Sequence, residues 1–308
     1  MKAGWTAGVT RARLLLSRVI GAEHARAVAG SRSLGDALGV LATSAYGERL
    51  HAGDDLAAAE RGVADTLLWH LRILAGWLPG AGAGLVRALA GWFELANVDA
   101  RIAALVSDGR EPAPFVLGGL ATAWPAIEQG RSVEDVADTV AGSAWGDPGG
   151  RSAAELTLGL RVAWARRVHQ AAPVAANWVA GAGALLVARE LLLDGSRARA
   201  AQLRRLPGIT EEALAAGSLN DLQAALPAQA AWALAGVSDP SELWRAELSW
   251  WLAVEREAPV LLRTPGDEAV VLAAVALLAV DAQRTARALR AAAQGGSPAL
   301  VELVDGTV

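Results

Sequence analysis

One helix-forming stretch, "GWFELANVDARIAALVSDG" (residues 91–109), carries a carboxylate, an amide, a guanidinium and a second carboxylate along one line. At about 100° per residue, Glu94, Asn97, Arg101 and Asp108 fall within a sector of about 60°. Leu95, Val98, Ile102 and Leu105 form the stripe beside it, and most of the rest is alanine. Such a line supports hydrogen bonding and ion pairing rather than bond making, and Asn97 with Arg101 is a natural i, i+4 pair. A second line near the C-terminus, Gln283, Arg287, Arg290 and Gln294, again shares one helix face. Two uses fit these lines. One is a solvated face or an internal hydrogen-bond ladder; the other is a set of equivalent stripes lining a shared central surface. An arginine buried alone is costly, so each stripe must meet water, carboxylates or another protein.

Groups that make or break bonds are scarce. His24, His51, His70 and His169 are scattered, with no His-Glu-x-x-His pair, so no zinc site is expected. His70, within "TLLWHLRIL", reads as a satisfied core histidine. The chain has no cysteine and one lysine, Lys2, which excludes disulfides, thiolate sites and a Walker A or Schiff-base lysine in the body of the chain. "GAGAGL" (80–85) follows a helical pattern ending at Pro79, not a strand, and reads as a flexible turn rather than a dinucleotide fingerprint. "AGSAWG" (141–146) is not a Gly-x-Ser-x-Gly elbow. The carboxylates at 211–212, 242, 247, 255 and 257 suit helix starts and solvated faces, and no glycosidase pair stands out among them. Trp244, Trp250 and Trp251 could line a sugar site, but packing is their commoner use. A terpene cyclase-like enzyme would need an Asp-Asp-x-x-Asp metal motif, which is missing. The expectation is no catalysis, no cofactor and no metal.

The elements that carry the polar lines are helices. Helix formers at helical spacing dominate, aromatic strand formers other than Trp are few, and the chain reads as all-α. At 53% hydrophobic residues and a mean hydropathy of +0.30, there is ample material for a core. A net charge of −4 offers no basic field for nucleic acid. Arginines interrupt the start before a signal peptide could form, and runs such as "AVVLAAVALLAV" fall short of the ~20 residues that span a bilayer. A soluble, cytoplasmic protein is expected.

An internal repeat organises the chain. Residues 33–47, "SLGDALGVLATSAYG", align without a gap with 132–146, "SVEDVADTVAGSAWG", so that Tyr46 matches Trp145. A fainter copy is 218–232, "SLNDLQAALPAQAAW". Each opens with Ser-x-x-Asp before an apolar run, a capping signal. Each copy is followed by a long helix ending at glycine, Gly109, Gly195 and Gly295 in turn, and the turns "VLGGL" (116–120) and "LPGIT" (206–210) follow the first two stops. Three helical units, 1–112, 113–197 and 198–308, are therefore expected, arranged with pseudo-threefold symmetry as a ring or cup.

On these stretches the chain resembles the C subunit of bacterial and archaeal V-type rotary ATPases, related to the d subunit of vacuolar ATPases. The residues that carry the resemblance are "TRARLLLSRVIGAEHARAVAGSRSLGDALGVLATSAYGERL", "WFELANVDARIAALVSDG", the two turns, and "DEAVVLAAVALLAVDAQRTARALRAAAQGG". The family pattern of Glu, Asn three on and then a basic residue is met by Glu94, Asn97 and Arg101. In the last unit Gln283 takes the Asn place and Arg287 the basic place, with Arg290 beyond. The middle unit departs, with Gly183 and Val187 at those places. The resemblance implies a funnel of three helical units that seats the central-stalk shaft subunits (D and F type) on the membrane rotor ring, peripheral to the cytoplasmic face of the membrane. It implies no nucleotide and no chemistry, and it makes Glu94, Asn97, Arg101, Gln283, Arg287 and Arg290 candidate partner-binding residues. The rival readings are a free-standing helical scaffold with another partner and an α-helical enzyme.

Overall fold

Alanine, leucine and arginine lose little side-chain freedom in a helix, and the computed structural model is 73% helix, with no strand among the described residues. It describes residues 2–107, 111–195 and 199–305. The all-α expectation holds. In chain order the helices begin with α1 (Lys2–Leu15), α2 (Gly21–Ala29), α3 (Leu34–Leu41), α4 (Leu56–Gly76), α5 (Gly80–Leu89) and α6 (Gly91–Val106). Next come α7 (Trp124–Ile127), α8 (Val133–Ala141), α9 (Ala153–Ala171) and α10 (Ala176–Ala188). Four short helices follow: α11 (Ala200–Leu203), α12 (Glu211–Ala215), α13 (Leu219–Ala225) and α14 (Ala228–Ala231). The long α15 (Leu243–Leu261) and α16 (Asp267–Ala293) and the short α17 (Pro298–Asp305) close the chain.

The repeated serines do what their spacing requires. The side chains of Ser33, Ser132 and Ser218 accept from the backbone N–H of Asp36, Asp135 and Asp221 at 3.1, 3.0 and 3.1 Å, opening α3, α8 and α13. Each satisfies a donor that the first helical turn leaves unpaired. Ser33→Ala, Ser132→Ala and Ser218→Ala are each expected to lose about 1 kcal/mol of unfolding free energy in urea titrations. Gly195 and Gly295 end their helices at φ +63° and +88°, as the stop signal predicts. Asp108 and Gly109, singled out in the sequence, lie outside the described residues.

"GAGAGL" is not a turn. It opens α5, with the Ala83 N–H donating to the Pro79 carbonyl at 2.9 Å. Proline is well placed just before a first turn. The burial of Leu85, Val86 and Ala88 offsets the cost of the glycines.

Packing divides the chain into two compact units, one from residues 1–86 with 251–308, the other from 87–250. These boundaries fall within α5 and α15, away from the sequence divisions at 112 and 197. In the first unit α16 packs against α1, α2, α3, α4 and α17. It buries residues on every side, from Val271 and Ala274 to Leu278 and Ala288, as a core helix does. In the second, α9 packs on α6, α10 and α11, and α10 meets α14. Leu158, Val162, Ala184, Val187, Leu203 and Leu222 lie in its core.

Two segments, Pro173–Leu193 and Asp267–Ala293, exceed the sequence estimate and are long and apolar enough to cross a bilayer by length and composition. Of their most apolar windows, 56% and 78% are buried inside the protein, so packing already accounts for much of that apolar surface.

Candidate functional site

The polar line of α6 works as a clamp on the chain that follows it. Glu94, 1% exposed, accepts from the backbone N–H groups of Thr122 and Ala123 at 2.5 and 2.7 Å and from the Trp145 indole at 2.9 Å. Asn97, also buried, pairs with the backbone of Phe115 in both directions: its amide donates to the carbonyl at 3.0 Å and its Oδ1 accepts from the N–H at 2.6 Å. Arg101 donates twice to the Gly130 carbonyl, at 3.2 and 2.7 Å, and pairs with Glu111 at 2.8 Å. One helix face thus holds five residues of the segment 111–130, Glu111, Phe115, Thr122, Ala123 and Gly130. A carboxylate is suited to the deepest point because it accepts several bonds without donating any.

Trp145 is held from its other side by Arg167, whose guanidinium lies 4.7 Å from the ring centroid and donates to the Ala144 carbonyl at 2.8 Å. Burial, and then the nearby Arg87, lower the Arg167 pKa, while Glu94 opposes the shift. Arg87 itself donates to the Gly119 carbonyl through Nε and Nη2, at 3.1 and 3.0 Å. On the neighbouring face of α6, Asp99 accepts from Thr157 and Arg161 of α9 at 2.8 and 2.9 Å. Nothing in the spacing of Arg87, Asp99, Thr157, Arg161 and Arg167 marks these supports in the sequence.

The first unit repeats the clamp around a residue that the sequence reading missed. Asp281 of α16, 3% exposed, accepts from the backbone N–H groups of Ile20 and Gly21 at 3.1 and 2.9 Å and from the Tyr46 hydroxyl at 2.9 Å. Tyr46 and Trp145, matched in sequence, therefore donate to matching carboxylates. Burial raises the Asp281 pKa against the pull of these donors, and burial with the Asp281 charge raises that of Tyr46 well above 10. With Asp281 level with Glu94, Arg284 stands level with Asn97 and Ala288 with Arg101. The sequence match of Gln283 to Asn and Arg287 to the basic residue is thus one residue out of register. An alanine-rich helix offers no bulky landmark to fix that register. The usable signal was charge, because Asp281 is the one acid of α16 beyond its first turn.

The other residues proposed on α16 have separate settings. Gln283 and Arg287 are half-buried, and Arg290 is exposed and paired with Glu60 of α4. Arg284, 4% exposed, pairs with Glu255 of α15.

The third copy lacks the acceptor. Ala180 of α10 stands where Glu94 stands in α6, and the Trp232 indole donates locally to the Gln229 carbonyl at 2.9 Å. The Trp232 ring instead covers Gly181: a Cβ there would lie 2.7 Å from it. Packing replaces the polar clamp.

A second shared contact follows each aromatic. The carbonyl of Arg49 lies against Gly62 of α4, and that of Pro148 against Gly159 of α9; a Cβ would stand 2.5 and 2.0 Å from these oxygens.

The candidate partner-binding residues Glu94, Asn97 and Arg101 thus spend their polar atoms within the chain. Among the described residues no group of three or more His, Asp or Glu side chains is arranged to hold a metal ion. No protein family model matches the chain, and neither does any curated protein.

Proposed function

We propose that the protein is a non-catalytic central-stalk subunit of a V-type rotary ATPase, a socket that couples the rotating shaft to the membrane rotor ring. The observation that carries this reading is the order in which modules and helices pair. Trp145 of the second repeat donates to Glu94 of α6, the third repeat packs on α10, and Tyr46 of the first donates to Asp281 of α16 from the far end of the chain. Each repeat therefore rests on a long helix that precedes it in cyclic order. On this reading three repeats close into a pseudo-threefold cup, and the packing of the chain's two ends in one unit supports it. Clamped turns and close backbone contacts favour stiffness, which a torque-bearing socket needs. On this reading the clamp residues shape the cup, and the net charge of −4 complements a basic shaft tip.

Mixed with the cognate shaft subunits, the protein should form a one-to-one complex by size-exclusion chromatography with light scattering, and it should be retained by the rotor ring. Absence of binding to shaft and ring at both low and moderate salt would rule the socket out. A second reading, a free-standing helical scaffold that binds another partner, is favoured by the loss of the carboxylate at Ala180. Neighbouring genes for motor subunits support the socket, and their absence supports the scaffold.

A further inference from the structure

We propose that the outer face formed by α1 and α4 of the first unit docks on an anionic lipid bilayer, a contact separate from the shaft and ring of the socket reading. Helices α1, α4 and α16 pack on one another, so α1 and α4 lie side by side and turn their outer faces away from α16. A Cβ on Gly4 would touch Pro79, and one on Gly8 would meet Leu78 and the Trp77 carbonyl. Helix α1 therefore starts at the C-terminal end of α4 and runs back along it, from Trp77 toward Trp69. Over the last turns of α4, Trp69, Arg72, Ile73 and Gly76 fall within a sector of about 100°, and Trp77 follows at the helix end. On α1, Thr6, Thr10, Arg13 and Leu14 share a sector of about the same width, and Arg18 lies beyond them.

This face shows two kinds of side chain. Trp69, Trp77 and Leu14 are 38%, 54% and 58% exposed, although such side chains gain most from leaving water. Arg13, Arg18 and Arg72, all exposed, are the charges beside them. Residues 2–22 and 66–86 contain no carboxylate, in a chain whose 32 acids outnumber its 28 lysines and arginines. Asp65, one turn before Trp69, is paired with Arg61 at 3.0 Å, and Asp267 and Glu268 open α16 behind the two helices. Positive charge is thus segregated onto a face that also presents large apolar groups. An anionic bilayer complements both at once. Its headgroups attract the guanidinium groups, while indole rings settle at the boundary between headgroups and acyl chains. Trp69 and Trp77 stand about 12 Å apart along α4, so both reach one plane parallel to the helix axes, as in a helix lying on a membrane.

The test sediments the full chain with phosphatidylcholine vesicles carrying or lacking phosphatidylglycerol. Shaft and ring subunits are left out, so the result is independent of the socket reading. Capture should need phosphatidylglycerol and should fall as salt rises. Arg72→Gln should weaken it about fivefold, and Trp69→Gln and Trp77→Gln about tenfold each, with helicity unchanged by circular dichroism. Trp244→Gln, at a position 46% exposed in the other unit, should have no effect. Phosphatidylcholine brominated in its acyl chains should quench the tryptophan fluorescence of the captured protein, and should quench it less in the Trp69 and Trp77 variants. Absence of capture, or capture that these three variants leave unchanged, would overturn the proposal. Binding of polyglutamate that depends on Arg72, without capture by vesicles, would overturn it too and assign the face to an acidic protein.

Discussion

Asp281→Ala is expected to lower the stability of the unit built from the two chain ends by about 3 kcal/mol or more, and Glu94→Ala to do the same to the other unit. Each carboxylate is the shared acceptor for two backbone N–H groups and one aromatic donor. Removing it leaves one buried and two part-buried donors without their acceptor, and each donor kept from water costs about 1–3 kcal/mol. Against a typical domain stability of about 5–15 kcal/mol, such a loss is a large fraction. Asp281→Asn and Glu94→Gln keep the volume but turn an amide N–H toward a donor, so they should lie between wild type and alanine. Urea titrations followed by circular dichroism and by tryptophan fluorescence, to which Trp145 contributes in the Glu94 series, read both units. Shifts under about 1 kcal/mol for both alanine variants would show that the clamps are not what holds these turns.

Gly159→Ala should have an effect of similar size through a different mechanism. The new Cβ would sit 2.0 Å from the Pro148 carbonyl oxygen and 2.7 Å from its carbon, and both are backbone. No rotamer relieves that contact. Helix α9 must move off residues 146–150, disturbing its packing on α6, at a cost of about 3 kcal/mol. Gly39→Ala is the control with the opposite sign. Gly39 is exposed in α3 with nothing within 4 Å of the added carbon, so the substitution should stabilise by about 0.5–1 kcal/mol. Thermal unfolding of the pair should shift in opposite directions. A Gly159→Ala variant as stable as wild type would mean that this close approach is dispensable.

Much of the local structure was legible in the sequence. The serine caps, the glycine stops at 195 and 295, the helical class and the equivalence of Tyr46 with Trp145 all follow from short-range rules, because a cap or a stop is decided by residues within one turn. The setting of the α6 polar line was legible only in part. Spacing showed that Glu94, Asn97 and Arg101 share a line, and it left open whether they face inward or toward a partner. Their partners, Thr122, Ala123, Phe115 and Gly130, are backbone groups that carry no side-chain signature. For the same reason "GAGAGL" was misread, since the apolar stripe that makes it helical comes after the glycines.

What the sequence determined by itself is periodic and local: an all-helical chain, capped and stopped at repeated positions, poor in groups that make or break bonds. What only the tertiary structure decided is which carboxylate meets which aromatic, that Asp281 rather than its neighbours matches Glu94, and that the first repeat rests on the last long helix. The physical reason is that a helix shows its register to sequence only through large side chains, and alanine has none to show. Register is then set by hydrogen bonds to distant backbone N–H groups, whose positions exist only once the chain has folded.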